Sequence, residues 1–159
     1  MSELDGRIGG IRQGYDLHAR WDGTLLDGRI GGHLQGKDIR LTLQGERVEG
    51  RVGGHLKGFD GVGELTGTQI RVRLGGRLGG DDVQVELTPT SALGRFSGRI
   101  EGKDIRLEQR GERIEGRIGG VLNGKDVNLR VNGVPFGLAV LAAVCAYKAF
   151  EDEAESSAD

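Results

Sequence analysis

The chain has 159 residues, 31 of them glycine, with 36% hydrophobic and 4% aromatic residues and a net charge of −2. That length fits one domain. The glycines do not recur at every third position and there are only two prolines, which excludes collagen; Ile, Val and Leu alternating with the glycines exclude a flexible linker.

From residue 3 onward the chain repeats itself. ELDGRIGGIRQGYDLHARWDG (3–23), LLDGRIGGHLQGKDIRLTLQG (25–45), ERVEGRVGGHLKGFDGVGELTG (46–67) and ERIEGRIGGVLNGKDVNLRVNG (112–133) follow one plan. Two looser copies, 68–91 and 92–111, lie between them, giving six units of about 22 residues. Within a unit, Leu26, Gly28, Ile30, Gly32 and Leu34 share one parity, and Asp27, Arg29, Gly31 and His33 the other. Period-2 alternation predicts a strand with one buried face. A turn at Gln35-Gly36-Lys37-Asp38 leads to a second strand through Ile39, Leu41 and Leu43. Short turns centred on glycine suit hairpins. Six hairpins predict twelve strands, in a closed antiparallel barrel; the rival is a β-solenoid of six coils.

Gly6, Gly10, Gly28, Gly32, Gly50, Gly54, Gly116 and Gly120 fall in phase with the apolar residues. Such glycines mark bulges and strong bending, or else a wall left thin so that something can pack inside. The second reading is preferred here.

Residues 134–147 are apolar apart from the breaks at Pro135 and Gly137, and five alanines by Ala149 predict a helix over about 136–150. Phe136, Leu138, Leu141, Val144, Cys145, Tyr147 and Phe150 point to all sides of it, so it should be buried all round. At 14 residues the apolar run is short against the roughly 20 a bilayer needs. The inside of a twelve-stranded barrel is the preferred place for it. A tail-anchored barrel is the alternative. EDEAESSAD (151–159) is expected to be a disordered acidic tail.

Twelve antiparallel strands followed by a hydrophobic C-terminal helix resemble the tubby-like barrel, shared by tubby C-terminal domains, phospholipid scramblases and LURP-one-related proteins. The resemblance covers residues 3–150 as architecture and transfers no specific residue, since no family motif is present. It implies binding of lipid headgroups or tethering at a membrane surface.

Arg7, Arg29, Arg51 and Arg117 face outward, each with an acid two positions earlier (Asp5, Asp27, Glu49, Glu115), so a balanced exterior is expected. In TQIRVRLGGRLGG the arginines Arg71, Arg73 and Arg77 have no acid between them, and Arg95 and Arg99 extend the series. These five are the candidate anion or lipid site. His33 and His55 read as surface residues, the acidic GGDD (79–82) lacks a calcium-loop register, and Cys145 reads as core. No nucleophile and base stand together, and the glycine motifs fall in hairpins rather than between strand and helix. The expectation is therefore no enzyme, cofactor or metal. Without its tail the chain carries 22 Lys and Arg against 19 Asp and Glu, too small a surplus to call for nucleic acid. A lone cysteine and no signal-peptide pattern in MSELDGRIGG point to a cytoplasmic setting, at the membrane periphery if lipid is the ligand. The expected function is non-catalytic binding at an anionic surface, with a self-assembling solenoid as the alternative.

Overall fold

A computed structural model describes residues 2–10, 14–31, 36–54, 58–75, 80–97, 103–119 and 124–158, with side chains as far as Glu151. The described residues form twelve strands: β1 (Ser2–Gly9), β2 (Gly14–Trp21), β3 (Leu25–Gly31), β4 (Gly36–Gln44), β5 (Arg47–Gly53), β6 (Gly58–Leu65), β7 (Gln69–Gly75), β8 (Gly80–Leu87), β9 (Ser91–Phe96), β10 (Lys103–Arg110), β11 (Arg113–Ile118) and β12 (Lys125–Asn132). One helix follows, α1 (Phe136–Ala158). Each strand pairs antiparallel with its chain neighbours, and β1 closes onto β12. That closed antiparallel ring excludes the solenoid, and it removes the exposed sheet edges on which strands aggregate. Gly36, Lys37 and Asp38, expected in a turn, belong to β4.

The repeat is more regular than the sequence units suggest. Arg7, Arg29, Arg51, Arg73, Arg95 and Arg117 stand at a fixed 22-residue interval, as do Asp16, Asp38, Asp60, Asp82, Asp104 and Asp126. The backbone follows the same interval: the amides of Leu43, Leu65, Leu87, Gln109 and Val131 donate to the carbonyls of Thr24, Glu46, Thr68, Thr90 and Glu112. Residues 68–111 are therefore in register with the rest. Two kinds of turn link the repeats. Gly45 and Gly111, at φ of 63° and 61°, take the first central position of two-residue turns, where a side chain would be strained. Elsewhere Asp22, Thr66 and Thr88 accept the amides two and three residues on.

The strand glycines have a different role from the one expected. Gly6 lies opposite Leu129, Gly28 opposite Ala19, Gly50 opposite Leu41, Gly94 opposite Val85 and Gly116 opposite Leu107. A Cβ on any of them would collide with the neighbouring strand's backbone, at the carbonyls of Asn128, His18, Arg40, Gln84 and Arg106 respectively. The glycines thus let adjacent strands close on each other, rather than making room for the helix. In the sixth seam Val72 holds the equivalent place, and the glycine has crossed to the facing strand as Gly63, whose Cβ would meet the Arg71 carbonyl. Each of these six seams, which join one hairpin to the next, carries one glycine whose Cβ would strike the facing backbone, on one side or the other. Gly10 and Gly54 are exposed beyond the strand ends, and Gly32 and Gly120 lie outside the described residues.

Inside the ring, α1 is buried from Gly137 to Ala149. Leu138 through Cys145 have no exposed surface, and Phe136 and Phe150 sit half-buried at the two mouths. Alanine and valine between leucines keep the helix thin enough for the wall of Leu4, Ile8, Leu26, Ile30, Ile39, Leu74, Phe96 and Leu129 to meet it. The helix does not stop at Phe150. It continues to Ala158 through the segment expected to be disordered, because Ala- and Glu-rich sequence extends an already nucleated helix cheaply. No helix of the described residues is long and apolar enough to cross a membrane. Outward-facing strand residues are mainly polar or charged, with Val62 and Leu93 the large exposed apolar exceptions among the described residues. An apolar belt of the kind a transmembrane barrel presents to lipid is therefore not found among them.

The one-glycine rule is testable. Gly63→Val alone should destabilise the barrel by about 3 kcal/mol or more, since the displaced neighbour is backbone. Adding Val72→Gly, which moves the glycine to the side it occupies in the other five seams, should restore most of the loss in urea unfolding. A double variant no more stable than the single one contradicts the rule.

Candidate functional site

The outer wall is organised by one ion pair per hairpin. Arg7 reaches Asp16 at 2.8 Å, Arg29 Asp38 at 3.1 Å, Arg51 Asp60 at 2.9 Å, Arg73 Asp82 at 3.0 Å, Arg95 Asp104 at 3.9 Å and Arg117 Asp126 at 2.8 Å. The partner of each arginine is thus the aspartate directly across the hairpin, not the acid two positions earlier. Those earlier acids turn to other neighbours: Asp5 to His18 at 3.3 Å, Asp27 to Arg40 at 3.7 Å, Glu49 to Arg47 at 2.6 Å and Glu115 to Arg113 at 3.6 Å. The exterior is balanced, with the six girdle pairs running across strands and Arg47–Glu49 and Arg113–Glu115 pairing along one strand. Such exposed pairs contribute little stability each, about 0–1 kcal/mol.

Against that girdle the predicted arginines separate into three groups. Arg73 is a regular girdle member, bound to Asp82, and Arg95 joins Asp104 at the longest distance in the ring. Arg77 and Arg99 lie outside the described residues. Arg71 occupies the repeat position held by Asp5, Asp27, Glu49 and Glu115 in four other units, so it replaces an acid with a base. It lies opposite Glu64 on one side and Gln84 on the other, and Gln84 in turn lies opposite Arg95. Leu93, 52% exposed, replaces the same acid in the next unit.

Sequence reasoning missed Arg106. It faces Leu93 on β9 and Arg117 on β11, so its two direct neighbours are an exposed leucine and a like charge. Neither Arg71 nor Arg106 has a carboxylate within 4.0 Å among the described residues. Arg106 and Arg117 also line a shallow hollow of about 340 Å³ with Glu108, Arg110, Glu115 and Gly116. The 22-residue register, applied to residues 68–111, is the signal that would have found this face: it shows two successive units lacking their acid. Arg71, Arg95, Arg106 and Arg117, on β7, β9, β10 and β11, form the least compensated stretch of cationic wall that the described residues offer.

The interior holds chemistry of another kind. Lys148, the charge within the apolar run, donates to Asp81 Oδ2 at 2.9 Å with both residues 8% exposed, and its Nζ lies 5.1 Å from the Phe59 ring centre. Asp81, dismissed with the GGDD motif, is thus an inward helix anchor, while its neighbour Asp82 faces out to Arg73. Around the same mouth Lys103 meets Glu151 at 3.6 Å, Lys125 lies over the Phe150 ring, and Tyr15 packs edge-on to Phe150. Phe96 packs edge-on to Tyr147 one turn deeper. Burial pushes the Cys145 thiol up to about 12, so it stays protonated and unreactive. Burial, followed by the nearby Glu151 carboxylate, pushes the Tyr147 phenol to about 12. Among the described residues no three His, Cys, Asp or Glu side chains converge as metal ligands would. No protein-family model, curated protein or solved structure matches the chain.

Two stability experiments follow from the interior. Asp81→Ala leaves a buried ammonium without its carboxylate and should cost about 3–5 kcal/mol, whereas Asp81→Leu with Lys148→Met should recover most of it. A single variant as stable as the parent in chemical denaturation removes the pair from any anchoring role. Alkali should act through Cys145 and Tyr147. Both pKa values are raised on folding, so their contribution is complete below about pH 9 and is lost as the pH climbs to about 12. The melting temperature should therefore fall across that window, and Cys145→Ala should flatten chiefly its first part, between about pH 9 and 10, where the thiol of the unfolded chain titrates ahead of the phenol. An unchanged slope there contradicts the assignment.

Proposed function

We propose that the protein is a non-catalytic binding module that docks on an anionic surface, lipid headgroups foremost, through the wall formed by β7–β11. The observation that carries this reading is the filled interior. A helix without exposed surface over Leu138–Cys145 leaves no room for a ligand where barrels usually hold one, so recognition falls to the outside. On that outside the girdle cancels most charge, and Arg71 and Arg106 stand where it does not. Guanidinium groups suit phosphate because they offer several donors in a planar fork. Leu93, exposed beside Arg106, adds an apolar contact at the level of the headgroups. The resemblance to tubby-like barrels points the same way, as an analogy of fold.

Cosedimentation with vesicles containing about one-third phosphatidylserine tests the proposal. The parent should pellet with them at low salt and be released as screening increases. Arg71→Glu, Arg95→Glu and Arg106→Glu together should abolish pelleting with the melting temperature little changed. The same charge change on the opposite wall, at Arg20, Arg29 and Arg40 on β2, β3 and β4, should leave most of it. Equal losses in the two triple variants would reduce the effect to net charge and overturn the assigned face, and a parent that fails to pellet at low salt would overturn the lipid reading.

A further inference from the structure

A second hollow opens at the rim remote from that wall, where the start of β1, the end of β2 and the turn into β3 meet. Its volume is about 610 Å³, and it is lined by Ser2, Arg20, Trp21, Asp22, Gly23, Leu25, Asp27 and Gly133. Trp21 is the chain's single tryptophan. It takes the repeat position filled by Leu43, Leu65 and Leu87 in the next three units and, like Leu43, is only partly buried against the core. Leu25 continues this apolar floor on the outer face, half-covered, at a position that is polar in the other five units (Glu3, Arg47, Gln69, Ser91 and Arg113).

The polar groups around the floor narrow the chemistry. Asp22 and Asp27 outnumber Arg20, whose guanidinium already has Glu3 at 3.9 Å, so an anion is disfavoured. A cation is disfavoured too, because Asp27 is held by Arg40 at 3.7 Å and one oxygen of Asp22 already accepts the amides of Thr24 and Leu25. A purely apolar ligand would take water from the polar edge of Arg20, Asp22, Asp27 and Ser2 and offer it no hydrogen bond in return. What remains is a neutral molecule with one apolar face and hydroxyls at its edge. It would stack on an indole and exchange hydrogen bonds in both directions with carboxylates and a guanidinium.

We propose that this hollow is a binding site for a neutral sugar ring, floored by Trp21 and Leu25 and edged by Arg20, Asp22 and Asp27. The site is built from β1–β3 and does not depend on the arginine wall or on its anionic partner.

Trp21 supplies the readout, because its emission reports this site alone. Titration of the full chain with glucose, galactose, mannose, xylose and N-acetylglucosamine, and with their β-linked disaccharides, should give a saturable spectral shift for at least one of them. The half-saturation should fall near about 1 mM, as expected for a ligand of about a dozen heavy atoms. Asp27→Ala and Arg20→Ala, both surface changes, should weaken it at least tenfold. Leu25→Arg should abolish it, and each variant should keep the parent's melting temperature. The proposal is overturned if no sugar shifts the emission at 100-fold that concentration, or if the shift survives all three substitutions. It is equally overturned if choline or inorganic phosphate saturates the site more tightly than every sugar.

Discussion

Everything in this molecule depends on closing twelve strands tightly enough to grip one helix. A twelve-stranded ring is wider than its own inward side chains fill. A helix fills it only if the wall curves hard and the helix stays thin. The sequence meets both conditions with small residues, but in two separate places. Alanines thin the helix, as at Ala139, Ala142, Ala143, Ala146 and Ala149. Glycines let the strands fold onto each other, one close-packed glycine at each of the six seams between hairpins, with Gly63 substituting across the seam for the missing glycine at Val72. Neither set suffices alone, and the apolar burial that drives folding is gained only when wall and helix are both in place.

Much of this was legible in the sequence because it is periodic. Alternation of apolar residues with charged ones gives strands, glycine-centred turns give hairpins, and an all-round apolar segment too short for a bilayer asks for a protein interior. The destination of the glycines was not legible. Whether a missing Cβ faces a helix or a neighbouring strand depends on how far the sheet coils, which no single strand records. Ion pairing was misread for a related reason. Asp5 and Arg7 share a face of one strand, yet Arg7 finds Asp16 across the hairpin and Asp5 finds His18. Direct cross-strand neighbours lie about 4.5–5.5 Å apart, closer than residues two apart along an extended strand. Within residues 68–111, the charge that escapes this pairing, at Arg71 and Arg106, becomes visible only once they are set in the 22-residue register.

A near-sixfold wall raises a problem that apolar packing does not solve. Rotating the helix from one hairpin to the next exchanges one aliphatic lining for a similar one, so burial alone discriminates weakly among settings. The mouth residues remove the ambiguity. At one repeat position the six units carry Tyr15, Lys37, Phe59, Asp81, Lys103 and Lys125, and only Asp81 among them is acidic. Lys148 can therefore bury its charge against a carboxylate in one setting, and in the others it would face an aromatic ring or another ammonium. The same setting brings Glu151 to Lys103 and Phe150 to Lys125 and Tyr15. A buried ion pair contributes little net stability compared with apolar residues of the same size. Its value here is discrimination, because leaving a buried ammonium unpaired costs far more than forming the pair gains. The one charge in the buried part of the helix, backed by Phe150 and Glu151 at the mouth, thus selects one setting in a repetitive barrel.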